Sequence, residues 1–451
     1  MSIKNLPGSK SPYFWQLLQT LWNPTVSLDR WAEKYGDTLK FGGNKQPYVI
    51  SFSNPEDIRD ILTASSEDIG YVQKSEIVKA LLGDSSLIFL PEQEHQKQRK
   101  LILPSFYKET LDKCGQKIIE LTKVTLLNKA SKQFIEVRSV MKEISLKAIL
   151  YSIFGIEDSY EQSLIYKKVV EIFNLFESPQ LPCYLLVSRL IPFLSKIEIS
   201  VWRNFKKIQQ ELNFLIEAEI TKHQKLKIDC EKNLLSLLVF SKDESGQSMT
   251  NQEICSAIMT LIFAGFETAA AAMSWMLYWV YSTKGIKQKL LKELSTYPKD
   301  IDPKTIANLP YLSAVCNETL RIIPPAFSTF SRTVKRKIRI GRYDLEPNTE
   351  IGISIYLAHR RKSVYPEPHL FKPERFLERQ FSPYEYLPFG GGQCRCLGAN
   401  LALYEMKIVL ATILTNFDLK IIVPNSLKPK RHGIVVIPSK LNIQITDTNF
   451  K

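Results

Sequence analysis

Apolar and polar residues alternate in "DTLKFGG" and "PYVISFS", which predicts a β-hairpin between Asp37 and Ser53. "NPEDIRDILTA" then predicts a helix from Pro55, with Asn54 as its cap and acids in its first turn. Between Ser65 and Glu94 the pattern is weak, and this stretch is expected to be mostly loop. From about Gln93 to Phe240 the period is helical, with breaks near Pro104, Gly155, Pro179 to Pro182 and Pro192. Within it, "CYLLVSRLIPFLSK" is apolar and interrupted. Core packing is one reading, and a lid or membrane-touching patch is the other. "KDESGQSMTNQEI" is a polar connector that caps a long apolar helix at Thr250. Helical patterns end at Pro324 and Pro325. "FSTFSRTV", "KIRIGRYDL" and "EIGISIYLA" predict short strands. Arg361 to Pro388 is rich in Pro and aromatics without a clear period. A further helix follows Cys396 to about Leu414, and "FDLKIIV", "GIVVIP" and "LNIQIT" close the chain as strands. The expected fold class is mainly α with small β-sheets (α+β), without internal repeat, low-complexity run or linker. Its β-rich parts are expected at about 36–64 and 326–357.

Ser256 to Ser282 carries a single charge, Glu267, and is long enough to span a membrane. A carboxylate near the middle of a span costs about 2.5–3.5 kcal/mol, whereas a helix apolar all round also suits the centre of a large soluble protein. The buried helix is favoured, and the integral-membrane reading stands as its rival. Composition narrows the partners. The net charge is +14 and the sequence pI about 9.2, yet no basic stripe interleaves with aromatics, so a nucleic-acid partner is not expected. Seven cysteines, an odd number, argue against a disulfide framework and for a reducing compartment. The N-terminal segment lacks the form of a signal peptide, and a cytoplasmic location is expected, with peripheral membrane contact as the alternative.

Four stretches carry candidate chemistry. In "AGFET" (Ala264 to Thr268), Gly265 leaves the helix backbone open, while Glu267 and Thr268 set a carboxylate beside a hydroxyl in apolar surroundings. That arrangement suits proton delivery to a bound oxygen species; a structural carboxylate paired with a buried Arg is the alternative. In "ETLRIIPP", Glu318 and Arg321 share a helix face and can pair. "FKPERF" packs Arg375 in a non-helical turn. In "FGGGQCRCLG" (Phe389 to Gly398), the Lys-Ser/Thr of a phosphate loop is missing. A zinc site would want a second Cys or His pair nearby, and His369 and His432 form none. A lone thiolate at a helix N-terminus remains, with glycines that let backbone lie against a flat ligand. A haem with one axial thiolate suits that description.

These four stretches, in this order, resemble the cytochrome P-450 family of haem-thiolate monooxygenases, and the resemblance runs from "LPGSKSP" to the last strands. It implies a single domain over 1–451, with a long central helix beside haem b. It implies Cys396 as axial ligand of the haem iron. Phe389, Gly390, Gly398 and Ala264 are implied to line the cofactor. "EHQKQRKLILPSF" matches the family's third-helix pattern and "FSRTV" its propionate strand, so His95, Arg99 and Arg332 are implied propionate partners. Thr268 and Glu267 are the implied catalytic pair. Glu318, Arg321 and Arg375 are implied to form a structural charge network behind the Cys loop. Cys394 stands where the family has Arg and Gln393 where Pro is common; a missing charged hydrogen bond implies haem binding weaker by about 1.5–3 kcal/mol. Arg361, in "HRRKSVYPEP", replaces a commonly acidic residue.

The resemblance further implies O2 as co-substrate and electrons from an external, acidic ferredoxin-type donor and its reductase. Lys97, Lys100, Arg395 and Lys407 are the expected docking face. Wording such as "AEKYGD" is most similar to soluble bacterial fatty-acid and alkane hydroxylases. The substrate is expected to be small and apolar: a fatty acid, alkane or terpenoid. Positions expected to face it are Tyr71 to Leu90, Phe173 to Phe176, Phe263 and Ala264, and Ala326 to Thr329. The rival is a haem protein that does not oxygenate: an isomerase, a peroxide-user or a degenerate sensor.

Overall fold

The computed structural model describes residues 6–9, 11, 13–42, 48–71, 79, 82–83, 85–106, 111–112, 114–155, 160–178, 181, 184, 200–226, 233–298, 300–423, 427–433 and 435–448. Backbone contacts divide the chain into two compact units. One comprises 1–73, 111–145 and 264–451; the other comprises 74–110 and 146–263.

Among the described residues, the first unit holds all the sheets. Thr38–Gly42 and Tyr48–Phe52 form the expected antiparallel hairpin, with Lys40 opposite Ile50. Tyr48–Phe52 then pairs in parallel with Glu350–Ile353, so Ile50 lies beside Ile351. Arg332–Val334 and Ile69–Tyr71 complete five strands. Alternation puts Ile50, Phe52, Ile351 and Ile353 into one core with Ile58 and Ile61 of the Pro55–Thr63 helix. That helix starts where expected: the Asn54 side chain accepts from the Glu56 amide at 3.1 Å. Two expectations change here. The weakly patterned stretch after Ser65 contributes the strand Ile69–Tyr71, ordered by antiparallel pairing to Arg332–Val334 rather than by its own alternation. "IYLA" (Ile355–Ala358) is a turn of helix rather than strand, capped by Ser354.

The closing strands behave as expected but gain a partner. Asn442–Thr448 pairs with Phe417–Ile422 on one side and with Ile135–Glu136, from far earlier in the chain, on the other. Trp275 of the long helix donates to the Val436 carbonyl at 2.9 Å, tying the hairpin Pro429–His432/Val435–Pro438 to the core.

The second unit is mainly helical among the described residues. Helices Tyr160–Glu177 and Ser200–Leu226 are bridged by Lys168, which reaches Glu171 and Glu211 at 3.0 and 2.8 Å. Asn233 caps the helix Leu234–Phe240 and also donates to the Phe154 carbonyl at 3.0 Å, where Gly155 ends the preceding helix at φ +69°. Thr250 and Glu253 form a reciprocal capping box at the start of the long helix Asn251–Ser282. Most of "CYLLVSRLIPFLSK" lies outside the described residues.

Asn251–Ser282 is long and apolar enough to cross a membrane, but 72% of its most apolar window is buried inside the protein. It is a core helix, and its burial is what makes Glu267 expensive unless paired.

Candidate active site

Cys396 lies three residues ahead of the helix Ala399–Asn416, where the free N–H groups and helix dipole favour an anion. The loop leading to it is tight. Gly390 and Gly392 adopt φ +68° and +65°, a region that side chains with a Cβ avoid. A short 3-10 turn, Gly392–Cys394, follows. The Cys396 amide then donates to the Phe389 carbonyl at 2.9 Å and closes the loop on itself. Gly391 packs against Leu62 so closely that a Cβ there would sit 2.6 Å from its Cδ1.

Arg332, 5% exposed, anchors this loop from the sheet. Its guanidinium donates to the Ile61 carbonyl at 3.2 Å and the Gly391 carbonyl at 3.5 Å. Thr329 links the same region to the sheet: its hydroxyl accepts from the Ile353 amide at 3.1 Å.

Behind the loop lies a buried charge network. Glu318 and Arg321 are both fully buried on the helix Pro310–Ile322 and meet through two hydrogen bonds, at 2.6 and 2.8 Å. Bidentate geometry of this kind offsets the desolvation of both ions. Arg321 also donates to the carbonyls of His359 and Pro368, each at 2.9 Å. Glu318 accepts from the Lys372 amide at 2.8 Å and from Arg375 at 3.4 Å. The structure therefore gathers Glu318, Arg321 and Arg375 into one cluster.

One member of that cluster escaped the sequence reading. His359 is fully buried, and its Nε2 accepts from the Leu387 amide at 3.0 Å, at the entry to the Cys loop. Burial, reinforced by the Arg321 charge, lowers its pKa to about 3, so the ring is neutral at physiological pH. The ring stacks on Tyr386, whose hydroxyl donates to the Asn317 carbonyl at 3.0 Å. Network and loop are thus joined through one imidazole. The available signal was a His–Arg pair closing an apolar run, which spacing alone does not interpret.

On the long helix, Ala264 is exposed and Gly265 partly so, a local opening in an otherwise buried element. The Thr268 hydroxyl donates back to the carbonyls of Ala264 and Gly265, at 2.9 and 3.1 Å. Glu267 points elsewhere. It is 7% exposed and meets Lys142 at 2.8 Å and Arg138 at 3.2 Å, both from the helix Val137–Phe154. This is the paired, structural arrangement of the carboxylate. Arg138 and Lys142, four apart on an apolar helix, were the overlooked sign of it.

In the helical unit, His95 and Arg99 are four residues apart on the helix Glu92–Ile102. Burial and the Arg99 charge lower the His95 pKa, with Glu92 partly opposing the shift. Of the expected docking cations, Lys97 pairs with Asp243 at 2.6 Å and Lys100 with Glu244 at 2.9 Å. In the other unit, Lys407 donates to the Ala307 carbonyl at 2.7 Å, while Arg395 is exposed. The lysines are therefore engaged within the chain. Phe173 stacks on Phe263 with centroids 4.8 Å apart. Tyr71, Leu82 and Leu90 are among the described members of the 71–90 segment.

A cysteine sulfur, Cys396, offered by a glycine-bent loop at a helix N-terminus is the donor a haem-thiolate protein needs. Among the described residues no cluster of three or more His, Cys, Asp or Glu competes for a metal. The chain belongs to the cytochrome P450 family, whose model matches residues 6–445. It is 27% identical over 417 residues to the putative cytochrome P450 135B1 of Mycobacterium tuberculosis, covering 90% of this chain and 84% of that protein. It is 26% identical over 428 residues to cytochrome P450 3A12 of Canis lupus familiaris, covering 91% and 82%. Its fold matches the retinoic acid-bound cyanobacterial CYP120A1 with a TM-score of 0.81 at 21% identity, over 98% and 99% of the two chains. The family cofactor is haem, iron protoporphyrin IX, and its chemistry is that of a haem-thiolate monooxygenase. The residues present fit the group: a thiolate at a helix N-terminus, a buried guanidinium at its loop, and small residues at Ala264 and Gly265.

Proposed function

We propose that this protein inserts one oxygen atom from O2 into a C–H bond of an apolar substrate of fatty-acid, alkane or terpenoid type, with electrons from an external ferredoxin system. We read the whole chain as one domain, supported by a single family model spanning 6–445. Cytoplasmic residence is proposed with it. Cys396 would ligate the iron, with Phe389, Gly390, Gly398 and Ala264 around the cofactor and His95, Arg99 and Arg332 toward its propionates. When bound, the thiolate-ligated haem supplies oxygen activation, the thiolate pushing electron density that favours O–O cleavage.

The chain's own residues then have distinct tasks. Thr268 is proposed to hold a proton donor at the helix opening, its hydroxyl already oriented by two backbone carbonyls. That hydroxyl, presented beside the exposed Ala264, is the observation that carries the oxygenase reading over a non-oxygenating haem protein. Glu267 would contribute only on leaving Lys142 and Arg138, so we assign the direct role to Thr268 and a charge-relay role to Glu267. Glu318, Arg321 and Arg375 would hold the Cys loop in register. The Phe173–Phe263 stack supports an apolar, lipid-like substrate. The cyanobacterial CYP120A1 whose fold this chain shares is retinoic acid-bound, a ligand of that apolar class. Arg395, exposed on the Cys loop, and Lys97 and Lys100, whose side chains stay largely exposed in their ion pairs, would guide an acidic ferredoxin together with Lys407.

The test is a carbon monoxide difference spectrum of the reduced protein and of Cys396→Ser, followed by spin-state titration with fatty acids, alkanes and terpenoids. A thiolate Soret band lost in the variant, a spin shift with an apolar ligand, and reductant-driven O2 uptake with product are expected. A haem spectrum without O2 uptake or product would favour the isomerase, peroxide-user or sensor.

A further inference from the structure

The family chemistry accounts for Cys396 but leaves Cys394 without a task. Five of the seven cysteines lie among the described residues, and three of them, Cys114, Cys255 and Cys316, are buried. Burial pushes the Cys255 and Cys316 thiols up to about 12, which makes them inert. Cys394 is exposed at the end of the Gly392–Cys394 turn. Between it and the ligand stands one residue, Arg395, with φ −57° and ψ 138°, near the polyproline region. Two peptide units span at most about 7 Å between Cα atoms, close to the upper limit of about 6.8 Å that a disulfide bridges. Sequence proximity alone therefore keeps the two Cα atoms near the range that a disulfide bridges.

The chain is synthesised before it holds haem, so both positions are thiols at that stage. We propose that Cys394 and Cys396 form a reversible disulfide in the haem-free chain, so that thiol oxidation decides whether haem can be loaded. The inference rests on the reading of Cys396 as the iron ligand. The oxidant is a small disulfide such as glutathione disulfide. The Cys394 sulfur attacks it, forming a mixed disulfide and releasing one glutathione thiol. The Cys396 sulfur then attacks the Cys394 sulfur and releases the second. Two protein thiols are oxidised, one small disulfide is reduced to two thiols, and the proton of each protein thiol ends on a glutathione. Closing so short a loop strains the bond, which makes it readily reduced and suits a switch rather than a structural staple.

The test uses the full chain, produced under haem limitation and treated with glutathione disulfide. Remaining thiols are alkylated and every cysteine peptide is mapped by mass, including those of Cys183 and Cys230. The peptide carrying Cys394 and Cys396 is expected about 2 Da light and unalkylated, in line with one internal disulfide. Added hemin should then give no Soret band, and dithiothreitol should restore both thiols and haem uptake. In Cys394→Ser no internal link forms. Two results would overturn the proposal: haem uptake that ignores the oxidant, or a block carried by glutathione adducts rather than the internal link. The mass readout on the unmodified chain needs no variant to fold. If the fully reduced protein takes up haem without a thiolate band, the ligand assignment has failed instead, whatever the mass map shows.

Discussion

Glu405→Gln should change how stability depends on pH. Glu405 sits on the helix Ala399–Asn416, nine residues after Cys396, and is only 4% exposed. Its Oε1 has no hydrogen-bond partner, and burial raises its pKa to about 7, with the Ser145 hydroxyl partly opposing the rise. The folded protein therefore keeps this proton up to about pH 7, whereas the unfolded chain releases it near pH 4.5. Between those values the native state binds more protons, so Glu405's contribution to stability falls as pH rises. Across about 2.5 units this amounts to roughly 3 kcal/mol by pH 8. Glutamine carries no such penalty. His359 works in the opposite sense. Its folded pKa of about 3 lies below the ordinary 6.5, so its contribution is whole above 6.5 and is lost as pH falls toward 3. In the wild type the two slopes offset one another between about pH 4.5 and 6.5. Removing Glu405 exposes the histidine slope, about 1.4 kcal/mol per pH unit on acidification below 6.5.

The assay is thermal unfolding of the holoprotein from pH 5 to 8, followed by far-ultraviolet circular dichroism and the Soret band together. An unfolding entropy of about 2.1 cal/mol/K per residue over 451 residues converts 1 kcal/mol into roughly 1 °C. The Tm of Glu405→Gln relative to wild type should rise by about 3 °C between pH 5 and 8. A constant offset, such as a poorly bonded amide would introduce, leaves this difference untouched. Parallel curves would refute a protonated Glu405, and a difference of the opposite sign would mean an ionised carboxylate paired with a cation.

Three further outcomes are expected. Arg321→Ala strands the fully buried Glu318 carboxylate and should cost about 3–5 kcal/mol; the readout is haem content per folded protein, which should collapse. His359→Phe removes the acceptor for the Leu387 amide, about 1–3 kcal/mol, and should speed haem loss to apomyoglobin, while His359→Gln restores much of it. Thr268→Ala should leave haem content and the carbon monoxide band intact but lower product formed per reductant consumed, on the order of tenfold or more; unchanged coupling would take Thr268 out of proton delivery.

The elements with strong local signals were legible in the sequence. The hairpin before Ser53, the Asn54 and Thr250 caps and the helix after Cys396 all rest on alternation, capping chemistry or sustained helical period. What stayed hidden depends on partners distant in the chain. Ile69–Tyr71 and Ile135–Glu136 are too short to show a period and are ordered by strands hundreds of residues away. The spacing of Glu318 and Arg321 announced a pair, but not that His359 would carry the pair's rigidity to the Cys loop. For Glu267 the sequence posed the right alternatives. Its ion pairs with Arg138 and Lys142 could not be read there, because that helix is brought alongside only by the fold.

The arrangement of the Cys loop also bears on Cys394, which stands where the family resemblance places an Arg. The loop is held by backbone groups and remote side chains. The Cys396 amide bonds the Phe389 carbonyl, Arg332 reaches the Gly391 carbonyl, and His359 accepts from Leu387. None of these three contacts uses the side chain at 394, so they would survive its replacement by Arg. The expected deficit is therefore in haem retention alone, about 1.5–3 kcal/mol for one charged hydrogen bond. Cys394→Arg should slow haem transfer to apomyoglobin by about ten- to a hundredfold, with little change in the position of the carbon monoxide band. The same variant abolishes the internal disulfide, so its haem uptake should no longer respond to glutathione disulfide through that link. An unchanged transfer rate would show that the cationic contacts present elsewhere already saturate propionate binding. Cys394 would then be kept for its thiol rather than merely tolerated.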